Sequence, residues 1–217
     1  MPVHHPDDSL LVEYAAGSLG EAKSLLVATH LALCPACRRA VRSGEAASAV
    51  LAFGDDVIEA VTAVEPPEVG AAAVEARSAG LRKSTSTIPE PLRSYLGVPV
   101  AELAWLPVGL GMRAFALPAL AGATSVRLLA IPPGRRMPRH THEGEELTLV
   151  LQGSFADATG LYRRGDVATA DARLDHQPQA GLGETCICLA VEEAPLRFTG
   201  VTGALLTAAQ RLRGLLR

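Results

Sequence analysis

The segment HLALCPAC brings one histidine and two cysteines close together in the first fifth of the chain. His30, Cys34 and Cys37 stand at positions i, i+4 and i+7, a spacing that turns their side chains to one side of a helix end. One further ligand would complete a closed tetrahedral zinc site of the structural kind, and His4 and His5 are the nearest candidates. We predict zinc at this site. A redox-active dithiol and buried inert cysteines are the alternatives.

A second set of residues suited to metal binding lies in RHTHEGEELTLVLQG, residues 139–153. His140 and His142 are two residues apart, so on a strand both side chains face the same side. Glu146 would reach in from the following strand. Imidazole and carboxylate ligands of this kind suit zinc, manganese, iron or nickel. An empty, vestigial cage is the alternative.

This second stretch resembles the first cupin motif, G-x5-H-x-H-x3-E-x6-G, at every defined position from Gly134 to Gly153. The second cupin motif is matched in part, because Gly165 and His176 have the right separation. Asp171, Arg173 and Ala180 replace its proline, second glycine and asparagine, and this departure affects turn geometry more than the ligand. The resemblance implies a cupin domain with four metal ligands: His140, His142, Glu146 and His176.

A second cysteine pair, Cys186 and Cys188, lies on a predicted strand with one residue between its members. Both side chains would face the same side, about 6.5–7 Å apart by the rise of a strand. That separation is at or beyond the usual limit for a disulfide. The pair is therefore interpreted either as core packing or as oxidant-sensitive thiols near the histidine cage.

The periodicity of apolar residues predicts three helices before residue 54. The first would begin at Asp7 or Asp8, and the second would span about 21–34. Pro35 cannot continue that second helix but can occupy the first turn of a third, which would run to about residue 53. Three short helices bury little surface, so a metal would contribute to their stability.

Later in the chain the apolar period changes to two. Runs such as SVRLLAI, LTLVLQGSF and TCICLAV, separated by glycine and proline turns, predict a small antiparallel sandwich or barrel. The Ser-, Thr- and Pro-rich stretch RKSTSTIPEPL predicts an interdomain linker. The fold class expected is multidomain α + β: a zinc-binding helical bundle at 1–80, a linker at 81–92 and a cupin-type β domain at 93–217. The last 17 residues return to helical spacing and predict a terminal helix, either packed or used for self-association.

Charge is unevenly distributed around a formal net charge of −3. Residues 1–80 carry 5 basic and 11 acidic side chains, whereas residues 81–217 carry 15 and 12. Direct nucleic-acid binding by the first part is not expected, because phosphate contacts need clustered cations. An acidic module suits a basic protein partner better. We expect a cytoplasmic protein, because the sequence has neither an apolar run long enough to span a membrane nor a signal-peptide pattern at its start.

The N-terminal segment, HH followed by EYAAGSLGEAKSLLVATHLALCPACR, resembles the ChrR-type zinc-binding anti-sigma factors. In that family the pattern His, then His-x3-Cys-x2-Cys, holds zinc in a helical domain that clamps a group IV (ECF) sigma factor. The family spacing selects His5, which lies 25 residues before His30. The resemblance also implies the whole-chain arrangement of a zinc domain followed by a cupin.

The resemblance therefore implies an anti-sigma factor and not an enzyme. It would release a sigma factor when its cupin domain responds to singlet oxygen or an organic peroxide. The rival hypothesis is a metal-dependent cupin dioxygenase with a zinc-binding appendage, although the sequence offers no acid–base pair beyond the four ligands. A structural adaptor whose cupin only dimerises is a third hypothesis, and self-association through the cupin or the C-terminal helix stays open.

Overall fold

The computed structural model describes residues 1–54, 88–117, 120 and 125–199. Three helices open the chain, as predicted: α1 (Asp8–Ala15), α2 (Glu21–Leu33) and α3 (Pro35–Phe53). Cys34 has extended backbone angles between α2 and α3, so the chain turns there and Pro35 begins the new helix. The predicted C-terminal helix and residues 81–87 of the predicted linker lie outside the described residues.

The three helices form a small core around the cysteine pair. Leu11 of α1, Val27 and Leu31 of α2, and Val41 of α3 are buried together with Cys34 and Cys37. Because this core is small, the two cysteines form a substantial part of it.

The β part consists, within the described residues, of eleven strands in three antiparallel sheets. The largest sheet has the order β1-β2-β3-β10-β5-β8, and the others have the orders β11-β4 and β7-β6-β9. This arrangement confirms the predicted antiparallel β fold. The strands are β1 (Leu106–Gly109), β2 (Met112–Ala116), β3 (Ser125–Ile131), β4 (His140–His142), β5 (Glu146–Gln152), β6 (Ser154–Ala156), β7 (Leu161–Arg163), β8 (Val167–Ala170), β9 (Gln179–Ala180), β10 (Cys186–Glu192) and β11 (Leu196–Phe198).

The large sheet is covered on both faces. Along β5, Leu147, Leu149 and Leu151 pack towards the helices, whereas Val150 packs into the interior of the β domain. Every residue of β10 is buried for the same reason. The interior face of this sheet carries the second cysteine pair, whereas His140 and His142 lie on β4 of the two-stranded sheet.

Part of the predicted linker is packed into the protein. The fourth helix of the described residues, α4 (Glu90–Leu96), begins within it, and Ile88 and Leu92 are buried in the core between the helices and the sheet. Pro89 stands at the N-cap of α4 and Pro91 lies in its first turn, where a proline is tolerated. Two prolines of the predicted linker therefore lie at the start of a helix.

The helices and the large sheet share one hydrophobic core. Leu25 and Leu26 of α2 belong to the same buried cluster as Leu149 of β5 and Leu189 of β10. Full burial of a leucine side chain stabilises a fold by about 1.5–3 kcal/mol. Among the described residues, no helix combines the length and the apolar content needed to cross a bilayer.

Candidate metal centres

The first candidate centre lies where the N-terminal segment meets α2 and α3. His5, His30, Cys34 and Cys37 each offer a ligand atom, and these atoms all lie within 4.8 Å of one another. His5 Nδ1 is 3.5 Å from Cys34 Sγ and 3.4 Å from Cys37 Sγ. We call these four residues the His/Cys centre.

The orientation of His30 is that of a metal ligand. Its Nδ1 lies 2.8 Å from the carbonyl oxygen of Gly165, so Nδ1 carries the proton and Nε2 is left with a lone pair. Nε2 is buried and has no hydrogen-bond partner. Leaving such an atom unsatisfied costs about 1–3 kcal/mol, a cost that a bound cation would remove. The donor set therefore fits a metal ion.

The two thiols are also better suited to a metal than to redox chemistry. Burial, followed by the hydrogen bond and the charge of Cys34, raises the pKa of Cys37 to about 12. A redox-active dithiol needs an accessible thiolate near neutral pH. A bound cation would favour the thiolate in spite of burial.

Of the two adjacent histidines, only His5 lies in the centre. The His4 ring packs against Tyr162 instead, with 4.5 Å between the ring centroids.

The second candidate centre lies inside the β domain. His140 and His142 project from β4, and two backbone hydrogen bonds join His140 to His176. The Nε2 atom of His176 is 3.0 Å from that of His140 and 3.1 Å from that of His142. Two nitrogens that bind one ion at about 2.1 Å lie about 3.0 Å apart in octahedral geometry and about 3.4 Å apart in tetrahedral geometry. The three buried imidazoles, here called the three-histidine cluster, therefore fit around one metal ion.

Hydrogen-bond acceptors near the Nδ1 atoms fix the orientation of the His140 and His176 rings. The Nδ1 atom of His140 is 2.8 Å from the carbonyl oxygen of Pro138, and that of His176 is 2.6 Å from Asp157 Oδ2. Such partners leave Nε2 free to bind a metal. Burial also lowers the pKa of His140 to about 4, so its ring is neutral near pH 7.

Asp157 is a site residue that the sequence analysis missed. Burial alone would raise its pKa, but hydrogen bonds from His176 and Thr159 outweigh that effect and lower it to about 2. Asp157 also accepts a hydrogen bond from Thr159 N, which is what an ordinary turn aspartate does. Nothing in its local sequence therefore distinguishes it from a turn residue.

Glu146 does not lie among the three Nε2 atoms, although it was predicted as the fourth ligand. Its Oε1 accepts a hydrogen bond from Thr148, and its Oε2 lies 3.4 Å from His142 Nδ1. Burial would raise the pKa of Glu146, but the proximity of His142 and the bond from Thr148 lower it to about 2. Thr148 therefore occupies only Oε1, whereas Oε2 is buried without a hydrogen-bond partner.

A second buried carboxyl group, Glu192 at the end of β10, adjoins Glu146. It contacts Arg127, and burial raises its pKa to about 7. Local sequence patterns do not indicate this Arg127–Glu192 pair, because its members lie on two strands 65 positions apart.

The three-histidine cluster opens into a cavity of about 570 Å³, a volume that accommodates a small molecule. His140, His176 and Glu192 line one side, and the tip of the β1–β2 hairpin, residues 107–110, forms another. Most of the remaining wall is apolar, including Leu129, Ile131, Met137, Phe155, Leu174 and Phe198.

The second cysteine pair lies next to this cavity. Cys186 and Cys188 are buried on β10 as free cysteines, and Cys188 also lines the cavity. Their Sγ atoms are 3.5 Å apart, closer than the roughly 6.5–7 Å expected from the rise of a strand. The hydrogen bond to Cys186, together with burial, raises the pKa of Cys188 well above its ordinary value. Both thiols are part of the interior apolar cluster, and the neutral form of Cys188 is favoured.

Comparison with known proteins relates both halves of the chain to one group. The family described as the ChrR cupin-like domain matches residues 94–196. The anti-sigma-E factor ChrR of Cereibacter sphaeroides is 44% identical over 202 residues, which cover 90% of this chain and 92% of that protein.

One solved structure of a relative covers most of the chain. The crystal structure of Rhodobacter sphaeroides SigE in complex with the anti-sigma ChrR matches 88% of this chain and 99% of the matched chain. The sequence identity is 38% and the TM-score is 0.70. An RmlC-like cupin from Ralstonia eutropha matches 48% of this chain and 71% of that chain, at 22% identity and a TM-score of 0.42.

Proposed function

The chain belongs to the ChrR family of anti-sigma factors, and we propose that its N-terminal domain, residues 1 to about 80, binds a group IV (ECF) sigma factor and keeps it inactive. The observation that carries this proposal is the 44% identity to anti-sigma-E factor ChrR over 90% of the chain, since it spans both the helices and the β domain. The related complex of ChrR with SigE supports a sigma factor as partner.

The charge of the N-terminal domain supports a protein partner over nucleic acid. Residues 1–80 carry 11 acidic and 5 basic side chains. Such a surface repels phosphate and favours a basic protein surface.

Zinc is the metal we propose for the His/Cys centre, with His5, His30, Cys34 and Cys37 as ligands. The buried, unpartnered Nε2 of His30 supports this assignment. Two thiolates and two imidazoles form a donor set typical of structural zinc. When bound, the ion would supply folding free energy on the order of 10 kcal/mol to helices that bury little surface themselves.

For the cupin domain we propose a second divalent ion, held by His140, His142 and His176 with Glu146 beside them. Zinc, manganese, iron and nickel all accept such ligands. This domain would detect singlet oxygen or an organic peroxide. Cys186 and Cys188 are candidate oxidant-sensitive groups, because Cys188 shares the cavity with the histidines.

Release of the sigma factor requires that the signal favour a conformation with different contacts. Contacts of α2 provide a route for that change. Lys23, near its start, lies 2.6 Å from Glu145 and 2.7 Å from Glu193. These two residues are the sequence neighbours of the buried carboxyl groups Glu146 and Glu192. The other end of α2 carries His30.

Inhibition of transcription by the purified chain tests the proposal. The zinc-loaded protein should suppress initiation by RNA polymerase holding its cognate group IV sigma factor, and His5→Ala should lose this inhibition. His4→Ala is the matched control, because the His4 ring lies outside the His/Cys centre. Failure of the unaltered, zinc-containing chain to bind the sigma factor would refute the assignment.

The cavity at the three-histidine cluster favours one second candidate, a metal-dependent cupin dioxygenase. Oxygen consumption by the iron-loaded protein with candidate small substrates would reveal that activity. A purely structural adaptor predicts instead that oxidants leave the affinity for the sigma factor unchanged.

A further inference from the structure

A turn of the β domain lies directly against the His/Cys centre. This turn, residues 163–167, joins β7 to β8. The carbonyl oxygen of Gly165 accepts the hydrogen bond from His30 Nδ1 at 2.8 Å. The only hydrogen-bond partner that the structure gives the His30 ring therefore comes from a residue 135 positions later in the chain.

The same turn holds the segment that carries His5. Asp166 Oδ1 accepts hydrogen bonds from Val3 N at 2.7 Å and from His4 N at 3.1 Å. Val167 N donates to the carbonyl oxygen of His4 at 3.1 Å. Asp166 is buried, and its other carboxylate oxygen accepts from Arg163 N at 2.8 Å. The backbone just before His5 is thus fixed by three hydrogen bonds to one turn.

Glycine is required at the centre of this contact. Gly165 has a φ of +95°, and a Cβ atom there would lie 2.6 Å from Pro2 Cγ and 3.5 Å from Leu33 Cβ. A side chain would therefore push away the N-terminal segment at Pro2, whereas it would make only an ordinary contact with Leu33 at the end of α2.

We propose that the 163–167 turn is an outer layer of the His/Cys centre, through which the cupin domain sets the metal affinity of the helical domain. Gly165 orients His30, and Asp166 positions the backbone that delivers His5. This inference rests on metal binding at the centre, but it does not require a sigma factor. We therefore expect that a displacement of this turn away from the helices lowers the affinity of the His/Cys centre for its metal ion.

The rival explanation is that Asp166 and Gly165 only hold two parts of the chain together. A measurement of global stability cannot separate these explanations, but a measurement of metal binding at the His/Cys centre can. Cobalt bound to thiolates gives intense charge-transfer absorption, and loss of that band in Cys37→Ser assigns it to the His/Cys centre. Zinc affinity is measured in parallel by competition with a chromogenic chelator.

Asp166→Ala in the full-length chain should lower zinc affinity at this centre about tenfold or more, as expected for the loss of an outer partner of a ligand. It should also shift the cobalt band. Asp166→Asn, which keeps one carbonyl acceptor, should fall between Asp166→Ala and the unaltered chain. Asp171→Ala is the matched control, because Asp171 makes a similar turn contact with Arg173 N within the β domain.

Gly165→Ala provides an independent test and should weaken zinc binding as well. Gly97→Ala is its control, because Gly97 also has a positive φ but a Cβ atom there meets nothing within 4 Å. Unchanged zinc affinity and an unchanged cobalt band in both Asp166→Ala and Gly165→Ala would overturn the proposal, even if both variants unfold more easily. A cobalt band of unchanged intensity in Cys37→Ser would remove the metal assignment on which the inference rests. Sigma-factor binding enters neither measurement.

Discussion

Asp157→Asn tests whether the carboxylate behind His176 supports the three-histidine cluster. The substitution keeps an oxygen that can accept a hydrogen bond but removes the negative charge. Asp157 Oδ2 lies 2.6 Å from His176 Nδ1, and both side chains are buried. The substitution therefore changes one charged contact next to the proposed ligand without creating a cavity.

The size of the effect follows from the pKa of Asp157. Hydrogen bonds from His176 and Thr159 outweigh the opposing effect of burial and lower this pKa from 3.8 to about 2. A difference of that size corresponds to about 2 kcal/mol of folding stability. Because the folded chain favours the carboxylate, this contribution is complete above about pH 5 and is lost as the pH falls towards 2. About half of it should remain at pH 3.

Urea unfolding of the metal-free protein measures the difference. Asp157→Asn should be less stable by about 2 kcal/mol at pH 6, and the gap should narrow as the pH is lowered. Metal affinity of the cluster, measured by calorimetric titration, should fall about 10- to 100-fold. Asp171→Asn, which removes a carboxylate paired with the exposed Arg173, is the control and should change stability little. Equal urea midpoints for Asp157→Asn and the unaltered chain at pH 6 would show that the Asp157 carboxylate does not stabilise the fold.

Three further predictions concern the helices. Cys37→Ser should abolish zinc binding at the His/Cys centre and reduce helicity with it, whereas an unchanged far-ultraviolet circular dichroism spectrum would contradict a structural role for the metal. Leu26→Ala should destabilise the chain by about 2–5 kcal/mol in urea unfolding, because Leu26 is fully buried between α2 and the sheet, whereas Val12→Ala, at an exposed position, should have little effect. Lys23→Ala should cost about 1 kcal/mol or less at low salt, and high salt should reduce the difference, since both of its ion pairs are partly exposed.

The local features of the chain could be read from its sequence. The proline after Cys34 predicts the junction of α2 and α3, and the period of two predicts an antiparallel sheet. Both are observed. The resemblance to ChrR-type proteins is confirmed by the identity over 90% of the chain. Each of these signals lies within a short window, where side-chain spacing and backbone preference act directly.

The features that sequence analysis missed depend on distant residues. The local sequence of Asp157 is that of an ordinary turn residue, and its role follows from its contact with His176, 19 positions away. Gly165 contacts His30 because the helices pack against the β domain. The motif predicts Glu146 as a ligand, but it does not indicate that Oε2 lies 3.4 Å from His142 Nδ1. The composition of the predicted linker likewise does not indicate that Leu92 is buried in the hydrophobic core. Each of these features depends on tertiary contacts that a short window of sequence does not contain.

The single apolar core that joins α2 to the large sheet has a consequence for cooperativity. Leu26 cannot leave its place beside Leu149 and Leu189 without exposing the sheet face to water, so neither part can melt while the other stays fully native. Differential scanning calorimetry of the full-length chain should therefore record one heat-absorption peak, whose van't Hoff and calorimetric enthalpies agree.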